Sequence, residues 1–195
     1  DLNQFSYNVK TAISTGEGRN WTKTPDNGLA YTAKLEVFPL GAFVKNGIYF
    51  EGDLMRETKP KVLLSAAFSQ NNDAQRTQGQ LGEQLYENRT VESFFIDGVF
   101  KYNGWSVLTA FMQRNCSDPI TTDAITQESN YVYTGHGFDY QMSYLFKNNF
   151  ELIGQRLTVY LPQQLPAGSA TTLTLSFTLN IPAKGSGIFG YDFNQ

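Results

Sequence analysis

Along most of this chain apolar and polar side chains alternate with a period of two, the spacing that gives an extended strand one apolar and one polar face. In residues 5 to 13, Phe5, Tyr7, Val9 and Ile13 share one face, with Ser6, Asn8 and Lys10 on the other. Residues 29 to 37 set Leu29, Tyr31, Ala33, Leu35 and Val37 against Thr32, Lys34 and Glu36. The rhythm returns at Val62, Leu64, Ala66 and Phe68, at Phe94, Ile96, Gly98, Phe100 and Tyr102 against Asp97 and Lys101, and at Trp105, Val107 and Phe111. Phe138, Tyr140, Met142, Tyr144 and Phe146 oppose Asp139, Gln141, Ser143 and Lys147, and Leu173, Leu175, Phe177, Leu179 and Ile181 oppose a row of Thr, Ser and Asn. With residues 150 to 161 the pattern predicts about eight strands and an all-β fold. Around Gly154 the alternation slips, since Phe150 and Leu152 have one parity and Leu157, Val159 and Leu161 the other. A bulge at Gly154-Gln155 would restore the apolar face and keep Arg156 off it.

The connections fall at 15 to 27, 38 to 59, 70 to 91, Asn103-Gly104, 116 to 137, Asn148-Asn149 and 162 to 169. After the second, long polar loops alternate with two-residue turns, the asymmetry of an antiparallel up-and-down meander in a transmembrane β-barrel. Residues 71 to 91 and 116 to 137, rich in Asn, Gln, Asp and Thr, read as solvated external loops. The connection 38 to 59 is too long for its end, and its Tyr49, Phe50, Leu54 and Met55 predict an element packed against the barrel. Aromatics flank both tight turns, so Tyr102, Trp105, Phe146 and Phe150 are expected to form an interfacial girdle. The strand face holding Tyr31, Leu35, Phe94, Phe100, Tyr140 and Tyr144 is expected to meet lipid. A soluble β-sandwich binding module, for a glycan or a protein ligand, would share the strands and the polar loops, so alternation alone leaves that second reading open.

Composition narrows the function classes. The chain has 195 residues, with 15 basic and 18 acidic side chains, and lacks the basic footprint of a nucleic-acid binder. A single cysteine, Cys116, excludes an internal disulfide framework and reads as an unpaired loop thiol. No apolar run is long enough for a membrane helix. No signal peptide is visible at Asp1-Leu2-Asn3-Gln4, which fits a mature or trimmed chain or an internal fragment. His136 is the only histidine and no serine sits in a nucleophile elbow, so neither an enzyme, a metal site nor a cofactor is expected. "GEGRNW" at 16 to 21 is followed by Pro25 and Asp26-Asn27-Gly28 and then by a strand. A phosphate loop needs a helix there, so this glycine pair reads as a turn.

Several stretches together resemble the phosphate-selective porin O and P family of Gram-negative outer membranes. They are "ISTGEGRNW", "GLAYTAKLEVFPLGAF", "YFEGDLMRETKPKVLLSAAFS", "FFIDGVFKYNGWSV" and "YLFKNNFELIGQRLTVY", within residues 5 to 160. The resemblance implies a 16-stranded barrel, often a homotrimer, that passes anions such as phosphate across the outer membrane. Eight strands would be about half of it, with residues 1–182 as barrel segment and 183–195 as a Gly-rich tail. Residues 162 to 195 follow no pattern of the family.

The family's arginine ladder has no match here. The charged residues of polar parity, which are the candidates to line a pore, are Lys10, Lys34, Glu36, Asp97, Lys101, Arg114, Asp139 and Lys147. Their mixed signs predict cross-strand pairing and weak selectivity, because neighbouring opposite charges cancel the field felt by a passing ion. The expected partners are a lipid bilayer and small ions or anionic solutes.

Overall fold

The computed structural model describes residues 5–17, 28–160, 181–182 and 188–189. Along the chain run β1 (Ser6–Ser14), β2 (Ala30–Phe38), β3 (Lys61–Arg76), β4 (Gln84–Tyr102), β5 (Trp105–Asn115), β6 (Ile120–Thr122), β7 (Ser129–Tyr131), β8 (Gly135–Leu145), β9 (Glu151–Tyr160), β10 (Ile181–Pro182) and β11 (Ile188–Phe189). Strands β1 to β5, β8 and β9 form one antiparallel sheet in that order, β8 following β5 across the separate β6–β7 pair. The fold is therefore an all-β antiparallel meander, and β1 and β9 are its edges among the described residues. The strand expected over 172 to 181 lies outside those residues, apart from Ile181 in a small pairing of β10 with β11. The division expected between 182 and 183 lies at the limit of the described residues.

Local chemistry accounts for the turns. Asn103 and Gly104 both have positive φ, 48° and 88°, the pair of left-handed residues that a two-residue hairpin needs to match strand twist. At the same end of the sheet, Asn149, also left-handed, closes the turn between β8 and β9 by donating its backbone N–H to the Phe146 carbonyl. We call this the turn end, and the opposite end, with the connections after β1, β3 and β5, the loop end.

Two expectations are corrected. Residues 70 to 91 are not a loop: β3 runs on to Arg76 and β4 starts at Gln84, leaving only a short connection. The register shifts twice, between Asn71 and Ala74 and between Ala74 and Arg76, with Asp73 left-handed at the irregularity. These strands extend beyond the apolar stretch, so both their faces are mostly polar and alternation vanishes although pairing continues. The second correction concerns β9. Its register with β8 is unbroken, with Met142 opposite Gly154, Gln141 opposite Gln155 and Tyr140 opposite Arg156. There is no bulge at Gly154-Gln155, and Arg156 shares the parity of Leu152.

At the loop end the extended hairpin packs on β6 and β7. Ala74, Leu85, Val91 and Val132 form a small buried cluster, with Cys116 against it. Thr121 accepts from the Tyr86 backbone N–H at 3.2 Å and donates to the Asn130 carbonyl at 3.0 Å, and Asn130 Nδ2 donates to the Gln84 carbonyl at 3.0 Å. Arg89 clamps the carbonyls of Asp118 and Ile120. Residues 116 to 134 thus contain a small hairpin of β6 and β7 packed against β4, while most of their side chains stay exposed, as expected of a solvated segment. Burial of Cys116 pushes its thiol up, and the Asp118 N–H and Arg89 offset this only in part. Alkylation of Cys116 by iodoacetamide should accordingly be slower than that of an exposed peptide thiol near neutrality, and should accelerate with rising pH as the thiolate appears. Rates equal to those of the peptide thiol would contradict this packing.

The distribution of polarity across the sheet is inverted. Leu64 is 55 % exposed, Phe68 44 % and Leu152 56 %, while Lys101, Ser106 and Ser143 are at most 2 % exposed. The apolar face is uncovered among the described residues, and the polar face carries most of the buried groups.

Candidate functional site

The register places the candidate charges on one face. Lys10 stands opposite Lys34, Asn8 opposite Glu36, Glu36 opposite Ser65, and Ser65 opposite Asp97. Four of them form one chain of ion pairs: Lys10 to Glu36 at 2.8 Å, Lys34 to Glu36 at 3.3 Å and Lys34 to Asp97 at 3.6 Å. Asn8 Nδ2 adds a bond to Glu36 at 3.3 Å and Ser65 Oγ one to Asp97 at 2.8 Å. Charge is compensated along this row, as the mixed signs predicted. Farther across the face Asp139 accepts from Gln155 Nε2 at 3.4 Å. Arg114 is half-buried, its backbone opposite Ser93 and Gly135. Lys147 does not belong to the row: it is exposed in the turn between β8 and β9, since β8 ends at Leu145.

Lys101 has a different environment from the one expected. Instead of lining an open surface it is 1 % exposed, beneath the connection between β2 and β3. Its Nζ donates to the carbonyls of Gly47 at 2.7 Å, of Gly52 at 2.9 Å and of Phe50. Three acceptors around one ammonium use its full donor capacity.

The same connection is held by further hydrogen bonds, to the sheet and its turns and within itself. Ser106 Oγ donates to the Glu51 carbonyl at 2.6 Å, and Lys61 Nζ to the Leu40 carbonyl at 2.8 Å. Asp53, 1 % exposed, accepts from the backbone N–H groups of Gly104 at 2.7 Å and of Glu57 at 3.0 Å. Glu57, 2 % exposed, accepts from the Val44 N–H at 2.6 Å, and its carbonyl receives the Asn103 N–H at 2.8 Å. Arg56 reaches the turn after β8, donating to the carbonyls of Leu145 at 3.0 Å and of Phe146. Lys45, Asn46 and Arg56 are all left-handed, an arrangement that non-glycine residues keep only where surrounding contacts hold them. A folded element is present in residues 38 to 59, made of a 3-10 turn at Val44–Tyr49 and the stretch to Glu57, but Tyr49, Phe50 and Leu54, which were expected to pack it, are exposed, and polar contacts hold it instead. Charge pattern revealed the candidates in strands, but it missed Asp53, Arg56, Glu57 and Ser106. For Asp53, Arg56 and Glu57 the signal was the dense run "EGDLMRE" in a connection too long for its place; Ser106 carried none.

On the other face the aromatics at the turn end are in contact. Trp105 and Tyr144 rings lie 4.7 Å apart, Tyr144 and Phe146 4.8 Å with edges to faces, and Phe146 and Phe150 5.6 Å. Tyr102 is opposite Trp105 in the register. The arrangement as a whole is a sheet with an uncovered aromatic-rich face, a charge-compensated polar face and a folded segment seated on the polar face at the turn end. No family model, curated protein or solved structure matches the chain.

Proposed function

We propose that this chain forms part of an outer-membrane β-barrel in which the apolar face meets lipid and the polar face borders a lumen for passive passage of small ions or solutes. The observation that carries the reading is the uncovered apolar face and the way its band runs across the strands. On β2 the band spans Tyr31 to Val37, on β4 Phe94 to Tyr102, and on β8 Phe138 to Tyr144. Tyr31 is level with Glu92, two residues beyond the limit of the band on β4, whereas Phe138 is level with Ile96, two residues inside it. The loop-end limit of the band therefore drifts by about one residue per strand, and the turn-end limit moves by the same average, all of it between Val37, level with Gly98, and Tyr102. With a rise of ~3.4 Å per residue and ~4.8 Å between strands, that drift corresponds to a tilt of about 35°. Strands that cross a bilayer tilt by about 35–45° and show such a slanted band when it is kept level with the membrane. A soluble sandwich would cover this face with a second sheet.

A Gram-negative outer membrane is the setting that fits such strands. Closure of the edges at β1 and β9, by further strands or by other copies of the chain, belongs to the same proposal, because open edges are not tolerated in lipid. The test is insertion: in a Trp21→Phe background, brominated lipids should quench Trp105 fluorescence, and the protein should aggregate when detergent is removed without lipid. A monodisperse protein in plain buffer, with Trp105 unquenched, would favour the soluble module instead.

The ion pairs set the expectation for selectivity. Lys10, Lys34, Glu36 and Asp97 neutralise one another, so the pore should conduct both signs of ion with at most a slight anion preference, unlike a phosphate-selective channel. Reversal potentials under a salt gradient measure this. Strong anion selectivity that disappears in Lys34→Glu would overturn the cancellation argument.

A further inference from the structure

We infer that residues 40 to 57 are a resident plug that closes the turn end of the lumen, leaving the polar face open to water chiefly from the loop end. The inference rests on the membrane reading above and goes beyond it, since a barrel could place a long connection outside its mouth. Three observations locate the segment inside. Its anchors on the sheet, Lys61, Lys101 and Ser106, are residues of polar parity on β3, β4 and β5, adjacent in register: Lys61 opposite Lys101 and Lys101 opposite Ser106. The segment reaches β9 as well, because a Cβ placed on Gly52 would collide with the Glu151 carboxylate. It thus spans the polar face from β3 to β9 at one level. Burial is deepest at this level: Lys101, Ser106 and Ser143 are at most 2 % exposed, whereas farther along the same face Glu36, Ser65 and Gln141 keep 5–8 % and Lys10 is open.

The contacts also say that the plug is fixed. Every carbonyl that Lys101 binds comes from the plug, and Asp53 returns a bond to the hairpin that follows Lys101, so the two components hold each other from both sides. Arg56 fastens the far end to the turn after β8. The anchoring runs both ways: Lys61, Lys101 and Ser106 of the sheet bind carbonyls of the plug, and Asp53 and Arg56 of the plug bind backbone of the hairpin and of the turn after β8. The physical consequence is a short, narrow aqueous path at the turn end, with resistance to ion flow concentrated there.

Planar-bilayer conductance of the chain reconstituted with lipid tests this, with Trp105 quenching as an independent record of insertion. Two variants are compared with the parent: one in which residues 44 to 55 are replaced by a short Gly-Ser linker, and Arg56→Ala, which frees the exposed fastening and leaves the sheet anchors intact. The expected result is a small parent conductance that rises several-fold in the linker variant and shows intermittent larger openings in Arg56→Ala. Inserted protein in which both variants conduct like the parent, or in which none of the three conducts, overturns the plug and leaves the membrane reading standing. Failure of Trp105 to insert in any of them removes the membrane reading, and the plug with it.

Discussion

Arginine in place of Met142 should cost about 2–4 kcal/mol of folding stability in a lipid environment, the penalty for a cationic side chain at the middle of a lipid-facing strand. Met142 lies in the middle of the apolar run on β8, level with Val107 and Phe100, and is 40 % exposed. It has no cover to lose, so the substitution creates no cavity and breaks no core contact beyond a 3.5 Å approach of the Tyr140 hydroxyl to its sulfur. The cost would come from the solvent around the face, which is why this position tests that solvent. Depth supplies the control. Tyr31, 45 % exposed, sits at the loop-end rim of the band on β2, and Tyr31→Arg should cost about 1 kcal/mol or less because a long side chain there reaches water. Denaturant titrations in bilayers give both values. Equal, small effects at the two positions would mean that the face meets water, where surface substitutions stay within about 0.5 kcal/mol.

The same contrast shows what the sequence could and could not convey. Strand identity and pairing order were legible wherever one face is apolar, because period-two alternation is a direct image of a two-faced sheet: β1, β2, β5 and β8 start and end within about three residues of their expected limits. It failed at 70 to 91, where both faces of β3 and β4 are polar and pairing leaves no imprint on composition. It failed again at Gly154, where two apolar parities were reconciled by a bulge, while the backbone keeps its register and carries Arg156 on the parity of Leu152. Charges of polar parity were found from sequence, yet nothing in their spacing separated Lys34, a one-third-exposed member of an ion-pair row, from Lys101, which is sealed. That difference depends on a segment about fifty residues earlier folding back over β4, a non-local event that alternation cannot encode.

Lys101 is therefore the position where this non-local contact should be measurable as stability. Lys101→Met should destabilise the fold by about 3–5 kcal/mol, the range for removing one partner from a buried charged network. The methylene stem is largely retained, so packing changes little. What is lost is the ammonium: the carbonyls of Gly47, Phe50 and Gly52 lose their donor at a site sealed from water, and Asp53, Glu57 and Glu151 lose the positive charge nearest them. Lys34→Met offers the comparison within the same chain. Lys34 is one-third exposed and shares Glu36 with Lys10, so its removal should cost about 1 kcal/mol or less. Lys101→Arg should rescue poorly, because a planar guanidinium cannot place its donors on three carbonyls converging on one point. Proteolysis separates local from global effects. In the parent, residues 47 to 52 should resist cleavage as long as the sheet is folded, whereas in Lys101→Met cleavage there should precede loss of the sheet. Parent-like midpoints and parent-like protection in Lys101→Met would mean that the seating of residues 40 to 57 rests on Asp53, Arg56 and Ser106 without the lysine.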